Sequence, residues 1–197
     1  MKLYTSLTSP YGRKCRMAAI LAGLDLDVAE VDYKAPDYLA INPLGKVPAL
    51  QRDDGSLMID SSVIAQIVAA AGDEAKVYPA DREARWQAQG LEALADGVID
   101  AAILAWLEIK RPDGERSSAW EQKQLGKMQA GLDAIERQAA GFTGRTDIGV
   151  LAVLACVGWI DLRGVGEDWR TNRPNLTAWV DSVSNEPFVT RTAPPAG

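Results

Sequence analysis

The 197-residue chain contains no histidine. That count removes Ser-His-Asp and Cys-His nucleophile systems and every histidine-ligated zinc or haem site. Its two cysteines, Cys15 and Cys156, stand far apart without a C-x-x-C spacing. They suggest neither a metal site nor a secreted disulfide framework. What remains for chemistry is a set of hydroxyls and charges at the ends of elements. Thr8 and Ser9 stand where a strand-like stretch gives way to a helical pattern, and a serine there caps the helix. Asp60 and Ser61 open another helical pattern. Backbone N–H groups at a helix start, joined by a serine hydroxyl, bind a carboxylate; Asp60 is equally a plain N-cap. Finally, Val47-Pro48 puts a proline at the start of a strand that ought to be central. Proline lacks an N–H, so it fits only at a strand's end or in a special turn. Two forms are open: an ordinary trans entrance, or a cis bond that leaves the Val47 backbone free to pair with an extended peptide.

These groups need elements to position them, and hydrophobic periodicity supplies them. Residues 2–7 read as a strand bounded by Thr8-Ser9-Pro10. In residues 11–22, Cys15, Ala18, Ala19 and Ala22 follow i, i+3, i+4, i+7, while Met17, Ile20, Leu21 and Leu24 repeat the pattern beside them. The helix is therefore predicted to be largely buried, with Cys15 a core residue rather than a nucleophile. Residues 27–31 alternate as a second strand, 37–41 form a short helix or turn, and 47–51 and 57–59 form two strands joined by Arg52-Asp53-Asp54-Gly55-Ser56. Asp60-Ser61-Ser62 then opens a helix with Val63, Ile64, Ile67, Val68 and Ala71 inward. After a break, only helical patterns follow, at 82–110, 118–141, 148–160 and 175–183, with a tail from Thr192. Residues 148–160 are apolar on every side, which suits the centre of a bundle and is too short to span a bilayer.

Segregated strands and helices predict an α/β domain over residues 1–72, a linker over 73–79 and an all-α bundle over 80–197. The hydrophobic fraction of 47% is enough for a sizeable core, and the net charge of −6 argues against a nucleic-acid partner. The start lacks a signal-like apolar stretch, so the expectation is a cytoplasmic protein that does not enter a membrane.

The order of elements, the turn Ser9-Pro10-Tyr11-Gly12-Arg13, the run Asn42-Pro43-Leu44-Gly45-Lys46-Val47-Pro48-Ala49-Leu50, and Asp60-Ser61-Ser62-Val63-Ile64 resemble the glutathione S-transferase family. The likeness covers essentially the whole chain and is nearest to the bacterial YibF-type group. It implies a thioredoxin-like first domain, a helical second domain, glutathione as co-substrate and no metal. It implies Ser9 as the catalytic hydroxyl, four residues before Arg13 as in serine-type members, with Thr8 as the rival and Tyr4 and Tyr11 as weaker ones. A C-x-x-C would fall on Ser9-Pro10-Tyr11-Gly12, so dithiol redox chemistry is excluded. Free cysteine has a pKa of ~8.5, and lowering it by ~2 units needs about 2.7 kcal/mol. A hydroxyl donor and a helix N-terminus are of that order.

The resemblance further implies that Asp60 takes the ammonium of glutathione and Ser61 its γ-glutamyl carboxylate. Val47 would pair with the cysteinyl backbone, and Lys46 would sit near the glycine carboxylate. Many relatives carry Glu or Gln at the Asp60 position, one methylene longer. Ile103, Trp106, Leu107 and Lys110 are candidates for the wall of a small hydrophobic electrophile. Asp96 is either a surface acid or reaches the partner's glutathione in a homodimer. Relatives begin the central helix with Ser/Thr-x-x-Asp, but Gly144 stands three residues before Asp147. The cap is then weaker, or Thr143 shifts into the role. The expected function is glutathione transfer to small electrophiles. The alternatives are a non-catalytic interaction module of the same shape and a glutathione-dependent isomerase.

Overall fold

Leu3 and Thr5, alternate residues of the first strand, are both fully buried, so one face of that strand is core. The computed structural model describes residues 1–195. In it, β1 (Lys2–Thr5), β2 (Asp27–Glu30), β3 (Ala49–Gln51) and β4 (Leu57–Met58) form a sheet in the order β2-β1-β3-β4. β1 and β2 are parallel and joined by α1 (Pro10–Ala22), which requires a crossover helix. β3 runs antiparallel to both β1 and β4. α2 (Pro36–Ile41) precedes β3, and α3 (Ser61–Ala70) follows β4.

Pro48 lies just before β3, and its peptide bond with Val47 is cis. Of the two forms open from the sequence, this is the one the chain adopts. Within α3, Ile64 and Val68 are buried as expected, but Val63 is exposed, as is Ala71 just past the helix end, which narrows the inward stripe.

The break after α3 holds a short 3-10 turn (Glu74–Lys76) and two fully packed residues, Val77 and Tyr78. Its ends are tied to both neighbours. Asp73 N–H donates to Ala22 O at 2.8 Å, and Ile148 N–H donates to Val77 O at 2.9 Å.

The remainder is helical: α4 (Arg82–Ile109), α5 (Ser118–Ala139), α6 (Ile148–Arg163), α7 (Pro174–Val183) and α8 (Pro187–Thr190). α6 is buried on every side over its first ten residues and is packed between α4 and α1. Its N-cap is Asp147, which accepts from Gly149 N–H at 3.0 Å and pairs with Arg145. Neither Gly144 nor Thr143 caps the helix; Gly144 sits in the turn before it with φ of 77°. The four-residue α8 is too short for periodicity to reveal, yet it carries buried Phe188 and leads to buried Thr192. The architecture is thus a thioredoxin-like α/β unit followed by an all-helical bundle.

Gly12 lets these layers close. A Cβ there would lie 2.0 Å from Thr5 Oγ1, so only glycine allows the first turn of α1 to rest against the end of β1.

Candidate functional site

Strand pairing brings the sequence candidates to one end of the sheet. Tyr4 faces Ala49 across an antiparallel pair, so β1 ends where β3 begins. Leu50 faces Met58 in the next pair, so β4 ends on that same side. The turn carrying Thr8 and Ser9, the Lys46-Val47 stretch and the Asp60-Ser61 helix start therefore share one edge of the sheet.

Ser9 is the N-cap of α1 and is 8% exposed. Its Oγ accepts from Gly12 N–H at 3.2 Å. Its own hydroxyl proton has no acceptor among the described residues. Pro10 occupies the first helical position, and the Arg13 N–H donates to Ser9 O. That leaves Tyr11 N–H as the unpartnered first-turn donor among the described residues.

Thr8 is differently placed. Its Oγ1 accepts from Arg163 Nη2 at 3.2 Å and shares a 3.0 Å hydrogen bond with Ser6 Oγ. The two tyrosines are also committed. Tyr4 donates to Gln51, and Tyr11 donates to Asp100, which together with burial pushes the phenol pKa up. Cys15 is fully buried, and burial pushes its thiol up to about 12. It is a core residue, as its helical position predicts.

The backbone at Lys46 is locked from two sides. Its carbonyl accepts from Asn42 Nδ2 at 2.7 Å and from the Tyr38 hydroxyl at 2.5 Å. The Lys46 side chain is exposed and joins no ion pair among the described residues. Val47 has neither backbone group paired within the described chain, which leaves both for an extended ligand. Asp60 caps α3, its Oδ1 accepting from Ser62 N–H and from Ser62 Oγ, each at 2.8 Å. Ser61 begins the helix and is 4% exposed; its Oγ makes no hydrogen bond within the described chain.

Asp96 is not the surface acid that its polarity suggests. It is half-buried between the helices, where Lys14 Nζ sits 2.6 Å from Asp96 and 2.9 Å from Glu92. Lys14 is fully buried. Burial pushes both carboxyls above their usual range against the pull of Lys14. Burial works against the Lys14 ammonium, but Asp96 and Glu92 hold its pKa above the usual lysine value. Sequence reasoning missed this cluster. The signal was a lysine inside a helix apolar on two faces, with two acids spaced i, i+4 on α4.

Of the wall candidates, Trp106 touches a residue that lines the crevice beside Ser9. Its ring meets Trp159 edge-on at 6.2 Å, and Trp159 lines one crevice with Thr8, Ser9 and Leu162. Ile103 is half-buried, and Leu107 is exposed. Arg163, outside every sequence expectation, lies against Trp106 as well. A larger surface depression of about 730 Å³ on α7 contains none of these residues. Among the described residues no group of acidic, Cys or His side chains is arranged to hold a metal, and no helix is long and apolar enough to cross a membrane.

This arrangement matches known proteins. The family described as Glutathione S-transferase, N-terminal domain, matches residues 8–71. The GST-like protein YibF of Escherichia coli, itself uncharacterised, is 32% identical over 99% of both chains. A maleylacetoacetate isomerase from Pseudomonas aeruginosa is 32% identical over 70% of this chain and 68% of its own. A Methylobacillus flagellatus glutathione S-transferase crystallised with glutathione superposes with a TM-score of 0.92 at 34% identity, covering 98% of this chain and 99% of the other. The chain belongs to the glutathione S-transferase family.

The buried cluster sets a stability expectation. Lys14→Met leaves two carboxyls without their cation and should lower unfolding free energy by about 3–5 kcal/mol at neutral pH. A carboxyl whose folded pKa lies above its unfolded value loses stability as pH rises through that interval. The deficit should therefore shrink as pH falls towards ~4, the unfolded carboxyl range. Urea titrations of both proteins at several pH values check this, and a pH-independent deficit contradicts it.

Proposed function

We propose that this protein is a glutathione transferase that binds glutathione along the shared sheet edge and stabilises its thiolate with the Ser9 hydroxyl. The observation that carries the reading is the state of the two neighbouring hydroxyls. Ser9 Oγ already accepts from Gly12 N–H, so its proton is left for a ligand. Thr8 is held by Arg163 and Ser6. The chain has no histidine to deprotonate Ser9, so the serine serves as donor and not as nucleophile. Ser61 Oγ and the start of α3 receive the γ-glutamyl carboxylate, and the free backbone of Val47 pairs with the cysteinyl unit. Asp60 keeps Oδ2 for the ammonium while Oδ1 caps the helix, and Lys46 reaches the glycine carboxylate from the rim. The thiolate then attacks a small electrophile.

The likeness to a maleylacetoacetate isomerase supports a second reading, in which the same activated thiol adds reversibly to an unsaturated substrate. Both readings need the same glutathione site.

Calorimetric titration should show glutathione binding to the native chain. Ser61→Ala should weaken it by about 1–3 kcal/mol, the value of a hydrogen bond to a charged group. An unchanged dissociation constant removes Ser61 from the site.

Ser9→Ala should raise the pKa of the bound thiol, followed by thiolate absorbance, and slow conjugation by about tenfold to a thousandfold. Glutathione affinity should change little. Thr8→Ala is the control; if it shifts the thiol pKa and Ser9→Ala does not, the donor is Thr8.

We also propose that two copies associate as a symmetric dimer. Trp86, Val63 and Leu104 are 58%, 41% and 41% exposed, a high exposure for large apolar side chains. Light scattering should report twice the chain mass, and a monomer at micromolar concentration rejects the pairing.

A further inference from the structure

Trp106 is flanked by two cations. The Arg163 guanidinium carbon lies 5.0 Å from the indole centroid, and Lys110 Nζ lies 5.2 Å from it. Neither cation reaches a carboxylate among the described residues. The acids on their own helices are engaged elsewhere. Asp100 accepts from Tyr11, Glu108 accepts from Ser117 N–H, and Asp161 is held by Arg170 and Trp169. Of the five N–H donors of Arg163, only one on Nη2 is used, towards Thr8; Nε is buried without a partner. A guanidinium lying over an indole and left with unused donors suits a planar anion, because its fork matches a carboxylate.

The place of this pair matters. Thr8 precedes Ser9, and Trp159 joins the Ser9 crevice to the Trp106 ring. Two indole rings in contact thus link the crevice beside Ser9 to a basic end.

We propose that the second substrate is an electrophile with an apolar body and a carboxylate. Its body lies on Trp159 and Trp106, its carboxylate is bound by Arg163, and Lys110 adds charge at the rim. The inference rests on the glutathione reading above and adds a substrate class to it.

Binding of two glutathione conjugates, S-benzylglutathione and S-(para-carboxybenzyl)glutathione, tests this without requiring turnover. The native protein should hold the acid about 10- to 100-fold more tightly, as a charge-assisted bidentate contact allows, and the preference should shrink as NaCl is raised. Arg163→Gln should abolish the preference, read as the ratio of the two affinities in that same variant. Arg163→Lys should retain part of it. Lys110→Gln, at an exposed position that tolerates substitution, should reduce it about two- to fivefold. Equal affinity of the native protein for both conjugates overturns the inference while leaving glutathione binding intact. A preference that survives both Arg163→Gln and Lys110→Gln also overturns it. If neither conjugate nor glutathione binds, the glutathione reading falls and this one with it.

Discussion

The ammonium of Lys14 is fully buried, and the rest of the structure is arranged to accommodate that. α1 touches α3 on one side and α6 on another, and its first turn rests on β1. A helix covered on several faces leaves a charged residue little route to solvent. An unpaired buried ammonium costs many kcal/mol, so partners must be supplied from outside the helix. Glu92 and Asp96, one turn apart on α4, are those partners. They fix α1 against the helical bundle in rotation as well as in distance, because a charge pair is directional where apolar packing is not. Tyr11 and Asp100 continue the same line towards the start of α1. The proposed reactive hydroxyl sits at that start, so its position relative to the bundle follows from this polar seam.

Arg13 makes the next link. Its guanidinium passes so close to α6 that a Cβ at Gly158 would lie 2.2 Å from Nη1. From there it reaches Val189 O and Thr192 Oγ1, and Arg16 reaches the carbonyls of Arg191 and Thr192. The end of the described chain is thereby drawn onto the first helix, and Pro194 comes to line the crevice beside Ser9. Three segments distant in sequence converge on one helix, each through a side chain that a local reading treats as solvent-facing.

That explains which parts were legible in the sequence. Long periodic elements were, because burial of a stripe or an alternating face is written in residue spacing: α1, α4, α5 and α6 fall where periodicity places them. The sheet edge was legible through its turn residues, Pro10, Pro48 and the Asp60 cap. Short elements were not; four residues of α8 contain too few positions to show a period. Polar residues with buried partners were misread for a different reason. Asp96 looks like a surface acid because the pattern records only its own polarity, whereas its environment depends on Lys14, eighty-two positions away. Arg163 falls just past the apolar run that marked the central helix, so nothing local singled it out. Val47, Asp60 and Ser61 stood out through an oddly placed proline and a helix start, Lys46 only through a family likeness, and the fold gathers them through strand register.

Capping and thiol activation are often weighed as rival explanations of a serine at a helix start. In the function proposed above, the first arranges the second. Ser9 Oγ accepts the Gly12 N–H, and a hydroxyl that accepts on one lone pair points its own hydrogen elsewhere. Ser9 is buried, and the neighbouring Tyr11 N–H also lacks a partner among the described residues. Two donors thus stand at the positive end of α1, and the chain has no histidine to act as a base. Such a site favours an anion already formed over a proton being removed. Under the proposed function, a thiol loses its proton to water and its thiolate is retained by these donors, which a chain without histidine allows.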